Sequence, residues 1–260
     1  VSKHIQALEA EYGAKLFDYS GRKLKKTRAG ELLEQFASTQ RYNEEKLIAA
    51  MRNEPETHLR IGATKSIGDY ILSPEIHRFL SAPCNRLEFL VDNTARLLSQ
   101  LEAGALDFVV LEGIFDKQRY NSFLMRIEPY IGVCRRDHPF AERQVSLDEL
   151  VRERLILREE GSGTRKILER ELAQQGYGTS AFADLAVISS FKLITELVAD
   201  GFGITFLYAA VVRDDPRFAH FDCPPLTGAH ELNVVFLKNT DAGRLAKRFL
   251  TGGNARRPTP

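Results

Sequence analysis

The sequence predicts an α/β protein of two successive lobes, each a mostly parallel sheet covered by helices, behind a basic helical N-terminal segment. Three observations predict it. Short apolar strand patterns alternate with helical ones from Leu59 to Leu250, which argues for parallel sheets. The plan occurs twice, over residues 59–111 and again over residues 155–207. Before it, residues 3–28 carry seven lysines and arginines against three acidic residues, in a chain whose net charge is only +1. A positive end on a neutral body points to an anionic partner for that end.

The bulk numbers set the frame. At 260 residues, with 43% hydrophobic and 27% charged, the chain is long enough for two domains. Cys84, Cys134 and Cys223 lie far apart and give no metal spacing and no disulfide framework, so no cofactor is expected and a reducing cytoplasm is the plain reading. There is no signal-peptide pattern, and the longest apolar run, residues 204–212, is too short to cross a bilayer.

The chain opens inside a helical pattern. Ile5, Leu8 and Tyr12 share one face, while Ser2, Lys3, His4 and Gln6 are polar and project elsewhere. Ser2 suits an N-cap and Gly13 a stop. Leu16 and Phe17 read as a core anchor, and residues 18–26 as a basic hairpin turning on Ser20-Gly21, with Arg22, Lys23, Lys25 and Lys26 around Leu24. Thr27 then caps a helix expected from Arg28 to about Met51.

Ser2-Lys3-His4-Ile5-Gln6-Ala7-Leu8-Glu9, Gly13, Leu16-Phe17 and Thr27-Arg28-Ala29-Gly30 resemble the second half of the winged helix-turn-helix of LysR-type transcriptional regulators. The resemblance implies that the first helix is a recognition helix for the major groove and the basic hairpin a wing on the phosphates. Ser2, Lys3, His4, Gln6, Arg22, Lys23, Lys25 and Lys26 are then the DNA-binding candidates, with operator DNA as partner. The alternative for the hairpin is a solvated surface loop. The family places two further helices before this point. The segment over residues 1–27 is therefore expected to be a partial domain that binds its operator poorly.

Residues 28–54 follow as a linker. Ala29, Leu33, Phe36, Leu47 and Met51 give a partial heptad stripe interrupted by Gln40 and Asn43. In the family such a helix makes dimer contacts, which implies a homodimer or homotetramer; the alternative is packing against its own body. Asn53-Glu54-Pro55-Glu56 marks a hinge.

Next comes the stretch that defines the lobes. Leu59, Ile61 and Ala63 form a strand, Thr64-Lys65-Ser66 a polar turn, and Ile67, Tyr70, Ile71 and Leu72 a helical face. Strand, polar turn, helix directs free N–H groups and hydroxyls out of the carboxyl end of a sheet, a place suited to an anion or polar small molecule. Thr64 and Ser66 as simple helix caps are the alternative. Residues 87–91 repeat the strand, with Asn93 and Thr94 at its turn, and residues 108–111 give a third that ends in Glu112. Residues 123–136 hold two strand-like runs around Pro129, and His138-Pro139 a crossover. In the second lobe Leu155-Ile156-Leu157-Arg158 leads into the Gly-rich turn at residues 159–164. A strand at residues 182–187 leads to Ser189-Ser190, and residues 204–207 and 232–237 are further strands. Residues 245–250 form a closing helix.

Leu101…Gly104…Asp107, Glu160-Gly161-Ser162-Gly163-Thr164-Arg165 and Val198…Gly201…Gly203-Ile204 resemble the effector domain of the same family. That resemblance implies two Rossmann-like lobes of the type 2 periplasmic-binding-protein-like fold over residues 59–260. Lobe I then takes residues 59–131 and 237–252, and lobe II residues 132–236. It is weakest at residues 113–125 and 208–230, and Leu207-Tyr208 stand where many members carry proline or serine.

If the lobes face each other, Thr64, Lys65, Ser66, Asn93 and Thr94 of the first converge on Ser162, Thr164, Ser189 and Ser190 of the second. Hydroxyls and helix starts bind oxyanions with little formal charge, and Lys65 and Arg158 can add charge, so a small anionic effector is expected. Glu112 is either a partner for an effector hydroxyl or amine, or a solvated strand end. Glu159 and Glu160 are expected to face solvent.

Catalytic patterns are thin. Gly161-Ser162-Gly163-Thr164 lacks the lysine and spacing of a phosphate loop, and Glu160 stands where a nucleophile elbow needs glycine. No histidine is placed to suggest a triad. The reading is a non-enzymatic regulator, the alternative a solute-binding protein without a DNA role.

Overall fold

A computed structural model describes residues 3–20, 23–52, 58–112 and 115–252, and the statements below concern those residues. Helix α1 (Lys3–Tyr12) precedes a hairpin of β1 (Phe17–Ser20) and β2 (Lys23–Lys26), with Phe17 opposite Lys26 and Ser20 opposite Lys23. No residue of α1 is buried, whereas Leu16 is, and its carbonyl accepts the Thr27 N–H at 3.0 Å. Thr27 caps α2 (Arg28–Met51), its hydroxyl accepting the Gly30 N–H at 3.1 Å. A side chain at position 30 would overlap the Leu16 carbonyl, so glycine lets the helix start against the anchor. The expected hinge at residues 53–56 and the hairpin turn at residues 21–22 lie outside the described residues.

The first lobe runs β3 (His58–Thr64), α3 (Lys65–Tyr70), α4 (Ser73–Leu80), β4 (Arg86–Asp92), α5 (Thr94–Glu102) and β5 (Phe108–Glu112). β3 lies parallel to β4 on one side and β5 on the other. β5 is buried along its whole length, as the unbroken apolar run at residues 108–111 requires of a strand covered on both faces.

β6 (Tyr120–Arg135) then runs from one lobe into the other. It is one strand through Pro129, where the sequence suggested two runs. The proline is tolerated because β11 alone lies beside it: β9 joins β6 only from Tyr130 and β10 only from Gly132. After it come α6 (Leu147–Leu150), β7 (Arg154–Arg158), α7 (Gly163–Gln174), β8 (Asp184–Ile188), α8 (Phe191–Ala199), β9 (Thr205–Tyr208), β10 (Phe218–Phe221), β11 (Gly228–Leu237) and α9 (Ala242–Thr251). β7 and β8 are parallel, and Leu155 bridges Ile204 just ahead of β9. β8 starts at Asp184, because Thr179–Ala181 form a short 3₁₀ turn that ends at Phe182.

β11 returns antiparallel to both β5 and β6, so the larger sheet has seven strands in the order β10-β6-β11-β5-β3-β4, with β9 also on β6. The divisions expected at 131/132 and 236/237 fall inside two continuous strands, β6 and β11. α9 closes the first lobe, with Phe249 against Phe79 and Phe108 at ring separations of 5.7 and 5.9 Å. The architecture is two α/β lobes joined by a curled sheet, with the carboxyl ends of β3, β5 and β7 meeting at the junction.

Candidate functional site

Three turns build the junction. Thr64 ends β3 and stands as the N-cap of α3, yet its hydroxyl makes no capping bond. It donates instead to Oε2 of Glu112, the last residue of the neighbouring β5, and Ser66 Oγ lies 3.5 Å from Glu112 Oε1. The capping alternative for these two hydroxyls therefore fails. From the other lobe Gly163, the first residue of α7, presses on the same carboxyl: a Cβ at position 163 would lie 2.8 Å from Glu112 Cγ and 2.9 Å from Oε1. Thr64 of the first lobe and the start of α7 of the second thus meet at the buried Glu112.

Glu112 is 2% exposed, which corrects the solvated reading. Burial pushes its carboxyl above the usual carboxylate range, against the opposing pull of the Thr64 hydrogen bond and the Arg158 charge. A strand end is solvated when its turn is open. Here the second lobe covers it.

Around this centre the lobes are tied directly. Lys65 Nζ reaches across to Glu159 Oε1 at 3.3 Å and to the Ser189 carbonyl at 3.1 Å. Arg158 is buried, grips Glu159 through Nε and Nη2 at 2.7 and 3.0 Å, and lies 4.1 Å from the Phe191 ring centroid. Burial alone would raise Glu159, but the Arg158 bonds and charge, with Lys65, hold it below the usual range. Glu159 is accordingly an interlobe partner and does not face solvent as expected, while Glu160 does. Tyr70 of α3 packs edge-on against Phe191 of α8 at 5.6 Å, and the Tyr130 hydroxyl donates to the Thr164 carbonyl at 3.0 Å.

The remaining candidates divide. Ser162 caps α7 through the Arg165 N–H at 3.5 Å, and its hydroxyl pairs with that of Thr164 at 2.9 Å, both buried. Asn93 caps α5 through the Arg96 N–H at 3.0 Å, and Thr94 is buried beside it, on the turn next to Thr64 in the sheet. Ser190 caps α8 through the Leu193 N–H at 3.3 Å; Ser189 contributes its carbonyl. Asn93 and Ser190 are thus spent on helix starts.

Gly163 and Tyr130 stand at the junction, with Tyr208 packed on Tyr130, and the sequence pattern does not point to any of these contacts. The second glycine of Gly161-Ser162-Gly163 signals a close approach, but nothing in sequence says to what. Tyr208 is hidden inside the apolar run at residues 204–212.

At the other end of β5 the linker helix docks. Gln35, Thr39 and Asn43 reach the carbonyls of Arg119, Lys238 and Asn239 at 2.8, 3.4 and 3.0 Å. Tyr42 is buried, and Lys46 Nζ meets the fully buried Asp107 carboxylate at 2.8 Å. Asp107 also accepts the Arg60 backbone N–H at 2.7 Å. Beside these contacts α2 leaves Leu32, Phe36, Leu47, Ile48 and Met51 exposed. Of the DNA candidates, Lys3, His4, Gln6, Lys25 and Lys26 are exposed, Lys26 beside Glu34 at 2.5 Å. Ser2, Arg22 and the Lys23 side chain lie outside the described residues.

The LysR substrate binding domain matches residues 52–251, more than three quarters of the chain. The chain belongs to the LysR-type transcriptional regulators. Among curated members, the DNA-binding transcriptional dual regulator OxyR of Escherichia coli K12 is 32% identical over 227 residues, covering 84% of this chain and 72% of OxyR. The regulator CysL of Bacillus subtilis is 29% identical over 225 residues, covering 83% and 73%. Among solved structures, a full-length OxyR variant from Pseudomonas aeruginosa superposes with a TM-score of 0.65 at 20% identity, over 95% of this chain and 82% of that one. The CcmR regulatory domain of Synechocystis PCC6803 in complex with 2-PG gives 0.65 at 18% identity, over 76% and 98%. These likenesses give this LysR-type regulator its two-lobed fold. No helix among its described residues is long and apolar enough to cross a membrane.

Proposed function

We propose that this LysR-type chain is a cytoplasmic, non-enzymatic regulator. It binds operator DNA through α1 and the basic hairpin and senses a small polar metabolite in the crevice between its lobes. One observation carries the reading: hydroxyls of Thr64 and Ser66 from one lobe and the start of α7 from the other converge on a single buried point at Glu112. Thr64, Ser66, Ser162 and Thr164 are the groups assigned to an anionic portion of the effector, with Lys65 and Arg158 closing the lobes over it. Asn93, Thr94, Ser189 and Ser190 form the rim.

The exposed apolar residues of α2 are assigned to a second copy of the chain, since the helix is already docked on lobe I beside them. Effector contacts that favour one degree of closure then bias how paired subunits present their DNA-binding ends.

A thermal-shift screen of organic acids and inorganic oxyanions, run on wild type and Ser66→Ala, tests the crevice. A ligand that stabilises wild type and loses most of its shift in Ser66→Ala is the expected result. Equal stabilisation of both proteins removes Ser66 from the site.

A further inference from the structure

The polar groups at the lobe junction are unevenly satisfied. Glu112 accepts from two hydroxyls, but it forms no ion pair among the described residues. The two nearby cations are engaged elsewhere: Arg158 holds Glu159 and stacks on Phe191, and Lys65 holds Glu159 and the Ser189 carbonyl. A carboxylate taken out of water without a countercharge is costly, and it is relieved by a proton or by a cation. Glu112 therefore has acceptor capacity that its hydroxyl partners leave unused, and its ionised form meets no ion-pair partner among the described residues, only the field of Arg158.

A second group nearby is unsatisfied in the opposite sense. Tyr208, the last residue of β9, is fully buried and its hydroxyl has no hydrogen-bond partner. Buried polar atoms of this kind are rare, and each needs a reason. The Tyr208 ring packs edge-on against Tyr130 at 5.5 Å, and Tyr130 bonds the first turn of α7. Tyr208 thus reaches, through Tyr130, the same start of α7 that Gly163 presses on Glu112, and burial, then the Glu112 charge, push its phenol far above the usual range. One lacks a cation; the other is a donor without an acceptor.

Formal charge points the same way. Glu112 and Glu159 at the junction, with Asp69 within electrostatic range of Lys65 and Arg158, outnumber those two cations. A ligand bearing only negative charge must compete with Glu159 for Lys65 and Arg158. A ligand bearing an ammonium does not.

We propose that the effector is a small amine, whose ammonium group pairs with Glu112 and whose acceptor end, a carboxylate in an amino acid, takes the Tyr208 hydroxyl. This rests on the crevice being the effector site and narrows what fits there: the hydroxyls serve the anionic end, and Glu112 demands the cation. The crevice is shut around Glu112 in this structure, so the lobes part to admit the ligand and close again with Glu112 on the ammonium.

The test uses the 260-residue chain and matched probes: the twenty protein amino acids and short alkylamines, each beside the same carbon skeleton without its amine. Thermal shift finds binders and calorimetry measures them. At least one amine is expected to bind, with its deaminated partner at least tenfold weaker. Glu112→Gln should reduce amine binding tenfold or more and bring the matched pair within about threefold. Its circular dichroism and unliganded melting show whether it folds. Tyr208→Phe, which keeps the ring, should weaken the amino acid and leave the plain alkylamine unchanged. The proposal is overturned by a deaminated acid that binds as tightly as its amine, by discrimination that survives Glu112→Gln, or by failure of every amine to bind. A deaminated acid whose binding is lost in Ser66→Ala overturns the amine and leaves the crevice assignment standing. No binding by any probe of either series counts against both.

Discussion

Asp107 and Glu112 stand at the two ends of one buried strand. Asp107, immediately before β5, takes Lys46 of the linker helix, and Glu112, its last residue, lies in the crevice between the lobes. Five steps of extended chain put their Cα atoms about 16 Å apart. Between them Phe108, Val109, Val110 and Leu111 are fully buried, and β3 and β11 flank the strand. A strand so enclosed is held on both sides, and it joins the lobe junction to the docking site of the linker helix.

Asp107→Ala should therefore do two things. It leaves Lys46 and the Arg60 backbone N–H without their acceptor, a loss of about 2–3 kcal/mol once the partial exposure of Lys46 is allowed for. It should also weaken the docking of α2 more than the lobes themselves. Hydrogen exchange checks the second point: amides of residues 38–48 should lose protection while those of β3 and β5 keep theirs.

Glu112→Gln should change the pH profile of stability. Burial raises the Glu112 pKa above its unfolded value, so between the two values the folded chain holds a proton that the unfolded chain has released. Stability contributed by this group is full below the ordinary carboxylate range and falls as pH climbs through the raised value. Glutamine escapes that loss. Its melting temperature should exceed that of wild type at pH 8, and the gain should shrink as pH falls through the raised Glu112 value and be nearly gone below about 4. A constant offset across this range would show that Glu112 does not titrate as described.

Gly163→Ala should drive the lobes apart, because its Cβ would sit 2.8 Å from Glu112 Cγ. Overpacking of this kind costs about 1–3 kcal/mol. Glu112→Ala removes the obstruction, so the double variant should recover most of the Gly163→Ala loss. The coupling energy of that cycle, from denaturant melts, is expected at about 1–2 kcal/mol. A value near zero would mean that the two residues do not touch.

Lys25 and Lys26 bear on the DNA assignment. Both are exposed on β2, and the Lys26–Glu34 pair is too exposed to hold its charge back from a phosphate. Changing both to glutamine should weaken binding to an operator fragment and reduce the slope of log affinity against log salt by about one for each lysine that meets a phosphate. Gel shifts over a salt series measure it, and an unchanged slope would remove the hairpin from the interface.

Much of this molecule is legible in its residues, for reasons tied to local chemistry. Thr27 caps its helix where hydroxyl and helical pattern meet, and the run Phe108-Val109-Val110-Leu111 is the buried strand it looks like. Thr64 and Ser66 share Glu112, and the start of α7 at Gly163 meets them there. Short-range signals fail where the partner comes from far away in the chain. Glu112 looks like a solvated strand end until α7, some fifty residues later, covers it. Pro129 looks like a break until the absence of a second neighbour beside it is known. Glu159 reads as surface charge until Lys65 reaches it from 94 residues away.

The way β6 is shared between the lobes governs how they can move. Sliding one lobe along the strand would tear the β11 ladder over residues 120–130 or the β9 and β10 ladders over residues 130–135. Flexing costs neither, and it is easiest where one set of partners gives way to the next. Tyr130 occupies that crease, paired with Gly228 on β11 and Tyr208 on β9, while its hydroxyl holds Thr164. A change of size at Tyr130 would therefore be felt in both ladders and at the start of α7 at once.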